Sequence, residues 1–291
     1  MGPLDLVHLT ALMHRTSGRP EVSIGLIDGP VVLNHPDLVG ASIHEVPGNL
    51  RGMCSRANSV ACSHGTFVAG ILVARRGSMA PAISPGCTLL LRPIFAEAAN
   101  GNGLMPSATP GQLAEAIVDC VDAGARLLNL SAALAEPSSK GERQVEDALD
   151  YAASRGAISV AAAGNQGTVG SSAITRHPAV IPVAACDLQG RPLNESNLGN
   201  SIARRGLMAA GVGITSIGTN GKPKTFGGTS AAAPFVTGAI ALLWSEFPAA
   251  RAAEVKLAIT RSGRQSRNTV VPPVLDAWGA YEIITRRYSN H

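Results

Sequence analysis

The sequence predicts an α/β fold in which a parallel sheet is crossed by helices, and three observations carry the prediction. Strand-like apolar runs alternate with helix-like segments along most of the chain, the pattern of strand, crossover helix and strand. Hydrophobic residues make up 45% of the chain and aromatics only 3%, so the core must be built from Ala, Val, Ile and Leu. The 32 glycines supply tight turns between such elements. At 291 residues the chain exceeds the common domain size, yet sheets with helices on both faces often reach this length as one unit. One domain is expected over 1–291, with 1–20 as a helical lead-in and 248–291 as C-terminal helices.

Leu4 to Arg15 sets apolar side chains at helical intervals and stops at the turn cluster Thr16-Ser17-Gly18-Arg19-Pro20, so one short helix comes first. Val22 to Ile27 is a β-favouring run that ends abruptly in Asp28-Gly29-Pro30. This places an acid at the carboxyl end of a central strand, where ligand and catalytic groups collect. The pattern then gives a helix near His64 to Arg75, a strand at Thr88 to Ile94, a helix at Gln112 to Ala123 and a strand at Arg126 to Leu130. A helix at Glu142 to Ser154 and strands at Ala157 to Ala162 and Val180 to Ala185 follow. After a Gly-rich stretch come helices from about Ser230 to Phe247, Ala252 to Arg261 and Leu275 to Arg286. The nearly apolar run Ala231 to Trp244 is shorter than the roughly 18 to 20 residues that span a bilayer, so it reads as a buried helix and no membrane partner is expected.

The 24 Lys and Arg against 20 Asp and Glu leave a formal net charge of +4. The basic residues fall in scattered pairs, Arg75-Arg76, Arg204-Arg205 and Arg286-Arg287. Nucleic-acid binding wants clusters, and isolated dyads are common on solvated helix ends, so no polyanion partner is expected. The five cysteines, Cys54, Cys62, Cys87, Cys120 and Cys186, show no C-x-x-C spacing, which argues against zinc. Cys54 and Cys62 allow a disulfide, but nothing before the first strand resembles a secretory leader, so the chain is read as cytoplasmic with reduced thiols.

A serine hydroxyl is a poor nucleophile at neutral pH, and acyl transfer needs a base to take its proton and a group to hold that base. The sequence has one candidate for each role. Asp28 closes a strand, His64 sits in Ser63-His64-Gly65-Thr66 at a helix start, and Ser230 sits in Gly227-Gly228-Thr229-Ser230-Ala231 before another helix. The chain order Asp, His, Ser is one of three known for this geometry. Singly, each has a plain structural reading as a turn former, a satisfied histidine or a helix cap. A helix amino terminus also presents unpaired N–H groups to an anion developing at Ser230, and Pro234 early in that helix points to a constrained local geometry. In Ala161-Ala162-Ala163-Gly164-Asn165 a strand runs into a small-residue turn. The Asn165 amide is a candidate oxyanion donor, worth about 3 to 4 kcal/mol in the transition state.

Together, Ile27-Asp28-Gly29, His64-Gly65-Thr66-Phe67-Val68-Ala69-Gly70, Ala161 to Asn165 and Gly228-Thr229-Ser230-Ala231-Ala232-Ala233-Pro234 resemble the signatures of the subtilase family. The similarity runs from about Val22 to Phe247. It implies a doubly wound, mostly parallel sheet with helices on both faces, triad roles for Asp28, His64 and Ser230, an oxyanion role for Asn165, and no cofactor. Within subtilases, Asp28-Gly29-Pro30-Val31, Arg92-Pro93-Ile94-Phe95 and the Leu-rich segment before Asp28 resemble the proteases that trim ribosomal precursor peptides of the cyanobactin type. Related macrocyclising enzymes carry a helical cap between the Asp and the His. The short Gly29 to Ser63 segment favours hydrolysis here. The chain begins close to the first strand, without the prodomain of secreted subtilases, so it is expected to fold unaided unless such a segment was removed.

Asn129-Leu130-Ser131-Ala132-Ala133 matches the edge along which this family pairs extended substrate, with Ala133 in place of a usual glycine. Ser131, Ala132, Ala133, Ala163 and Gly164 are therefore candidate substrate-binding residues. Arg176, in or beside the pocket-wall segment Gln166 to Pro178, is a further candidate that would favour an acidic P1 residue; an ordinary surface arginine is the other reading. Arg75 to Met79 lacks the carboxylates of a calcium loop, so no metal is expected there, and Asp37 is a possible ligand by analogy alone. Cys62, two residues before His64, reads as a small buried apolar residue, with mercurial inhibition as the alternative. Gly211 to Ser216 lacks the third glycine and the downstream acid of a dinucleotide loop, so nucleotide binding is not expected. The expected activity is cleavage of an extended peptide or precursor peptide. Its rivals are transpeptidation or macrocyclisation by the same triad, and an idle scaffold that only binds peptide. The oligomeric state is left open.

Overall fold

A computed structural model describes residues 2–97, 107–131, 142–263 and 270–289. In chain order the elements are α1 (Pro3–Leu6), α2 (Leu9–Arg15), β1 (Ser23–Ile27), β2 (Ile43–Glu45), α3 (Val60–Val73), β3 (Thr88–Leu91), α4 (Pro110–Asp122), β4 (Leu127–Leu130), α5 (Glu142–Ser154), β5 (Ile158–Ala162) and α6 (Ala173–Arg176). They continue as β6 (Val180–Cys186), α7 (Asn200–Arg205), β7 (Leu207–Ala210), β8 (Ile214–Ile217), β9 (Pro223–Phe226), α8 (Thr229–Glu246), α9 (Ala252–Arg261) and α10 (Ala277–Tyr288).

Seven strands pair in parallel in the order β2-β3-β1-β4-β5-β6-β7. Every residue of β3, β4, β5 and β6 is buried, because helices cover both faces; this is why these strands read as unbroken apolar runs. Successive strand residues alternate between two cores. Leu127 and Val160 join the side chains of α2, α3, α8, α9 and α10, while Leu128 and Ala161 join those of α4 and α5. The doubly wound parallel sheet implied by the sequence is the fold observed.

Chain order reverses between β1 and β4, and the crevice at such a switch point is where open α/β sheets place ligands. Ile27 and Leu130 are register partners, so the next residues, Asp28 and Ser131, leave the sheet side by side. The strand expected at Thr88 to Ile94 stops at Leu91, where Arg92-Pro93 follows and proline cannot donate to a ladder. Beyond the proline the chain folds over the end of β1, and the N–H groups of Ile94 and Phe95 both donate to the Asp28 carbonyl, at 2.8 and 3.4 Å. Arg92 is buried beneath α4 with its Nε 2.8 Å from Asp119 Oδ2.

Other expectations need correction. The single lead-in helix is two, α1 and α2, divided by His8 in the left-handed region at φ 51°. The Gly-rich stretch holds β7 and the antiparallel hairpin β8–β9. Reduced thiols throughout are also overturned, because Cys54 and Cys62 form a disulfide with their Cα atoms 5.7 Å apart; Cys87, Cys120 and Cys186 are free and buried. Cys62 is accordingly buried but bonded, not a free thiol beside His64. No described helix is long and apolar enough to cross a membrane.

Candidate active site

Asp28 follows β1 directly and is wholly buried. Its Oδ1 accepts from the Gly29 N–H at 2.6 Å and from His64 Nδ1 at 2.7 Å. Oδ2 is buried with no hydrogen-bond partner among the described residues. A carboxylate only accepts, so Nδ1 of His64 carries the proton and Nε2 of the neutral ring is left basic. Two glycines make this approach possible. A Cβ on Gly65 would lie 2.3 Å from the Gly29 carbonyl oxygen, and a Cβ on Gly29 would lie 2.0 Å from the Ala61 carbonyl oxygen. With bare backbone at both positions, the first turns of α3 rest directly on the Asp28-Gly29 turn. Ser59 caps α3, its side chain accepting from the Cys62 N–H.

Burial of His64 works against its charged form, but the charge of Asp28 and the hydrogen bond to it outweigh that cost, so the imidazole pKa is raised above its ordinary value of 6.5. The Phe226 ring, on β9, lies tilted at 6.2 Å from the His64 ring and packs edge-on to Phe67 at 5.0 Å. It forms a wall beside the imidazole that the sequence alone did not reveal.

Ser230 is the second residue of α8, and Gly228 precedes the helix as its N-cap with φ 85°. Ser230 Oγ donates to the Ser131 carbonyl at 3.1 Å. The hydroxyl is thus turned to the strand end that also abuts Asp28. Asn129 beneath it is buried and satisfied on both sides, donating to Ser131 Oγ and accepting from Thr237 Oγ1, each at 2.8 Å.

Asn165 is exposed, but its amide is not free to turn. Oδ1 accepts from the Thr229 N–H at 2.9 Å and from the Thr229 hydroxyl at 3.1 Å. The Thr229 hydroxyl accepts in turn from the Gly164 N–H at 3.2 Å. Because a backbone N–H must meet an oxygen, this fixes which end of the amide is Oδ1 and leaves Nδ2 as the outward donor. Thr229 is therefore a positioning residue that sequence reasoning missed, since a threonine beside the serine of a helix start reads simply as a capping residue. A Cβ on Gly228 would lie 2.8 Å from Asn165 Oδ1, which accounts for glycine there.

The remaining sequence candidates fall as follows. Ala163 and Gly164 form the turn that carries Asn165, and their carbonyls are occupied by the side chain and the backbone N–H of Asn197, at 3.1 and 2.9 Å. Ala132 and Ala133 lie outside the described residues. Arg176 ends α6 and binds Glu142 at 2.8 Å and Glu146 at 3.1 Å, so its charge is already matched by two carboxylates on α5. Asp37 pairs with Arg75 at 3.1 Å.

A family model described as "Subtilase family" matches residues 19–277. The thermophilic serine proteinase of Bacillus sp. (strain AK1) is 32% identical over 233 residues, 79% of this chain and 54% of that protein. Subtilisin amylosacchariticus of Bacillus subtilis subsp. amylosacchariticus is 30% identical over 242 residues, 81% of this chain and 58% of that protein. The chain thus spans little more than half the length of these relatives. Among solved structures, a point mutant of the protease domain of PatA superposes with a TM-score of 0.84 at 28% identity, covering 93% of this chain and 97% of that one. The prenylagaramide maturation protease PagA superposes with a TM-score of 0.83 at 29% identity, covering 96% of this chain and 98% of that one. The chain belongs to the subtilase family.

Proposed function

We propose that this member of the subtilase family is a serine endopeptidase that cleaves extended peptides through an acyl-enzyme. The observation that carries the reading is the His64–Asp28 pair, 2.7 Å apart at the switch point of the sheet, with Ser230 at the start of α8 and the Asn165 amide fixed beside it. Ser230 Oγ leaves the Ser131 carbonyl, yields its proton to His64 Nε2 and attacks the scissile carbonyl. Asp28 holds the ring and stabilises the imidazolium. The oxyanion meets Asn165 Nδ2 and the backbone N–H of Ser230, donors that are in place before charge develops. His64 then returns the proton to the leaving amine, and water releases the acyl group by the same steps in reverse. Every group this chemistry requires is a side chain or backbone amide, so the proposal involves no cofactor. We assign the lead-in helices and the C-terminal helices to this one peptidase domain, a reading supported by the packing of α10 on both α2 and α9.

We further assign the substrate to ribosomal precursor peptides, supported by the likeness to PagA, a maturation protease, and to PatA. Between Asp28 and the capping residue Ser59 the described chain holds a three-residue 3₁₀ turn, Pro36–Leu38, and the short strand β2. No helix stands over the cleft from that segment, which supports transfer of the acyl group to water rather than to a held amine. Fluorophosphonate labelling of the chain beside Ser230→Ala, followed by peptide-library cleavage read by mass spectrometry, tests the assignment. Labelling that needs Ser230, with linear products and defined cuts, is the expected result. Cyclic products would make it a transpeptidase, and no labelling an idle peptide-binding scaffold.

A further inference from the structure

Beside the cleft, Cys54 Sγ, Cys62 Sγ and a Glu97 carboxylate oxygen all lie within 4.8 Å of one another. In the oxidised chain the two sulfurs are bonded to each other. Glu97 is seated against them by donors from the Cys54 loop: the Ser55 N–H at 3.0 Å, the Ser55 hydroxyl at 2.5 Å and the Arg56 N–H at 2.8 Å. The Ser55 N–H also reaches the other oxygen at 3.2 Å, so each oxygen accepts two hydrogen bonds, and a cation would take the lone pair that this shared N–H occupies on one of them.

We propose that reduction of the disulfide turns Cys54, Cys62 and Glu97 into a three-ligand site for a thiophilic divalent cation of the zinc class, with water as the fourth ligand. Two thiolates on one zinc, each about 2.3 Å from the metal, stand roughly 3.7 Å apart in a tetrahedral site. Side-chain rotation provides that opening while the Cα atoms keep their 5.7 Å separation. Two thiolates and a carboxylate in one place repel each other strongly, and a divalent cation removes that repulsion. Cys62 also sits in the first turn of α3, where the helix dipole favours a thiolate. The other thiols do not compete. Cys62 is buried as they are, but among the described residues none of Cys87, Cys120 and Cys186 stands in a group of three possible ligands, and burial pushes the thiols of Cys120 and Cys186 up to about 12.

The steps balance. A dithiol reductant delivers two electrons and two protons to the S–S bond and is itself oxidised to a disulfide; the cation then displaces the two thiol protons to solvent. Either state ties the Cys54 loop to the first turn of α3, two residues before His64, so the same clip holds under oxidising and reducing conditions.

The test is titration of Co²⁺ into the chain after reduction with a phosphine, beside the oxidised chain. One equivalent should produce thiolate-to-cobalt charge transfer and tetrahedral d–d absorption in the reduced chain alone. Cys62→Ser should abolish both signals, and Cys186→Ala should leave them. Glu97→Gln, whose one oxygen can still accept from the Ser55 and Arg56 N–H groups while its NH2 donates to the Ser55 hydroxyl oxygen, should weaken binding at least about tenfold, since even indirect partners of a metal cost that much. Should Cys62→Ser fail to fold, the redox comparison and Glu97→Gln still decide. Equal binding by oxidised and reduced chains, no binding by the reduced chain, or affinity indifferent to Glu97→Gln would overturn the proposal.

Discussion

The backbone N–H and the hydroxyl of Thr229 both donate to Asn165 Oδ1, at 2.9 and 3.1 Å, so the residue just before Ser230 sets the direction of the amide across the cleft. Asn165→Ala removes the donor and should lower kcat by about 10²–10³ with KM little changed, the range that the loss of one such donor costs in a subtilisin. Thr229→Val keeps the N–H bond and removes the hydroxyl with its two hydrogen bonds, the one given to Asn165 Oδ1 and the one taken from the Gly164 N–H, of which the first aims the amide and is worth about 0.5–1.5 kcal/mol net. It should lower kcat by about 3- to 10-fold, and steady-state kinetics on one peptide check both. A Thr229→Val enzyme as impaired as Asn165→Ala would show that the hydroxyl does more than aim the amide.

With His64 as the proposed base, its raised pKa should set the acid limb of activity. The base must be neutral, so kcat/KM should fall as pH drops through a value above 6.5. Asp28→Asn removes the charge that raises it; the limb should move to lower pH and the rate should fall by about 10⁴. The same group acts on stability with the opposite sense. The folded state favours protonated His64, so its contribution is fully present below pH 6.5 and is lost as pH rises through the raised pKa. Thermal melts across pH, wild type against Asp28→Asn, would show that difference.

How much of this was readable beforehand depends on what each residue announces. β1 ends where its apolar run meets Asp28, and α5 and α9 have the bounds their patterns give, because those elements bury a clear apolar face or run. Asp28, His64, Asn165 and Ser230 were readable as candidates through their motifs taken together, each motif being ambiguous alone, and the structure pairs the first two directly. Three kinds of feature were not. His8 breaks the lead-in helix without a glycine or proline to mark it. The strand β9 is mostly exposed, so it lacks the apolar pattern that would reveal it. Partnership across long sequence separations, as between Thr229 and Asn165 or between Phe226 and His64, leaves no local signal at all.

Close approach of α3 to the Asp28 turn makes Gly65 a site where one methyl group should be felt. Its Cβ would meet the carbonyl oxygens of Gly29 at 2.3 Å and Pro30 at 2.5 Å, and backbone cannot rotate away. Gly65→Ala should cost about 1–3 kcal/mol as overpacking does and, by pushing His64 from Asp28, reduce activity more than stability. Gly111→Ala is the control, since its Cβ meets nothing closer than 3.4 Å. Denaturant melts and kcat/KM on both variants test this; a stable, fully active Gly65→Ala would mean that the helix can shift without disturbing the pair.

Arg176 offers a cation near the expected pocket wall, and an acidic P1 preference would follow if it were free. The structure engages it otherwise. Glu142 and Glu146 both hold its guanidinium, and a P1 carboxylate would have to displace one of them and strand that carboxylate. The pairs are partly exposed and worth at most about 1 kcal/mol each to stability, so Arg176→Ala should leave the fold intact. It should also leave the ratio of kcat/KM for P1 Glu and P1 Leu peptides within about twofold of wild type, since a difference near RT ln 2 is under about 0.5 kcal/mol. A tenfold loss on the P1 Glu peptide alone would instead place Arg176 in the pocket, and would require α6 to release it from the two glutamates when substrate binds.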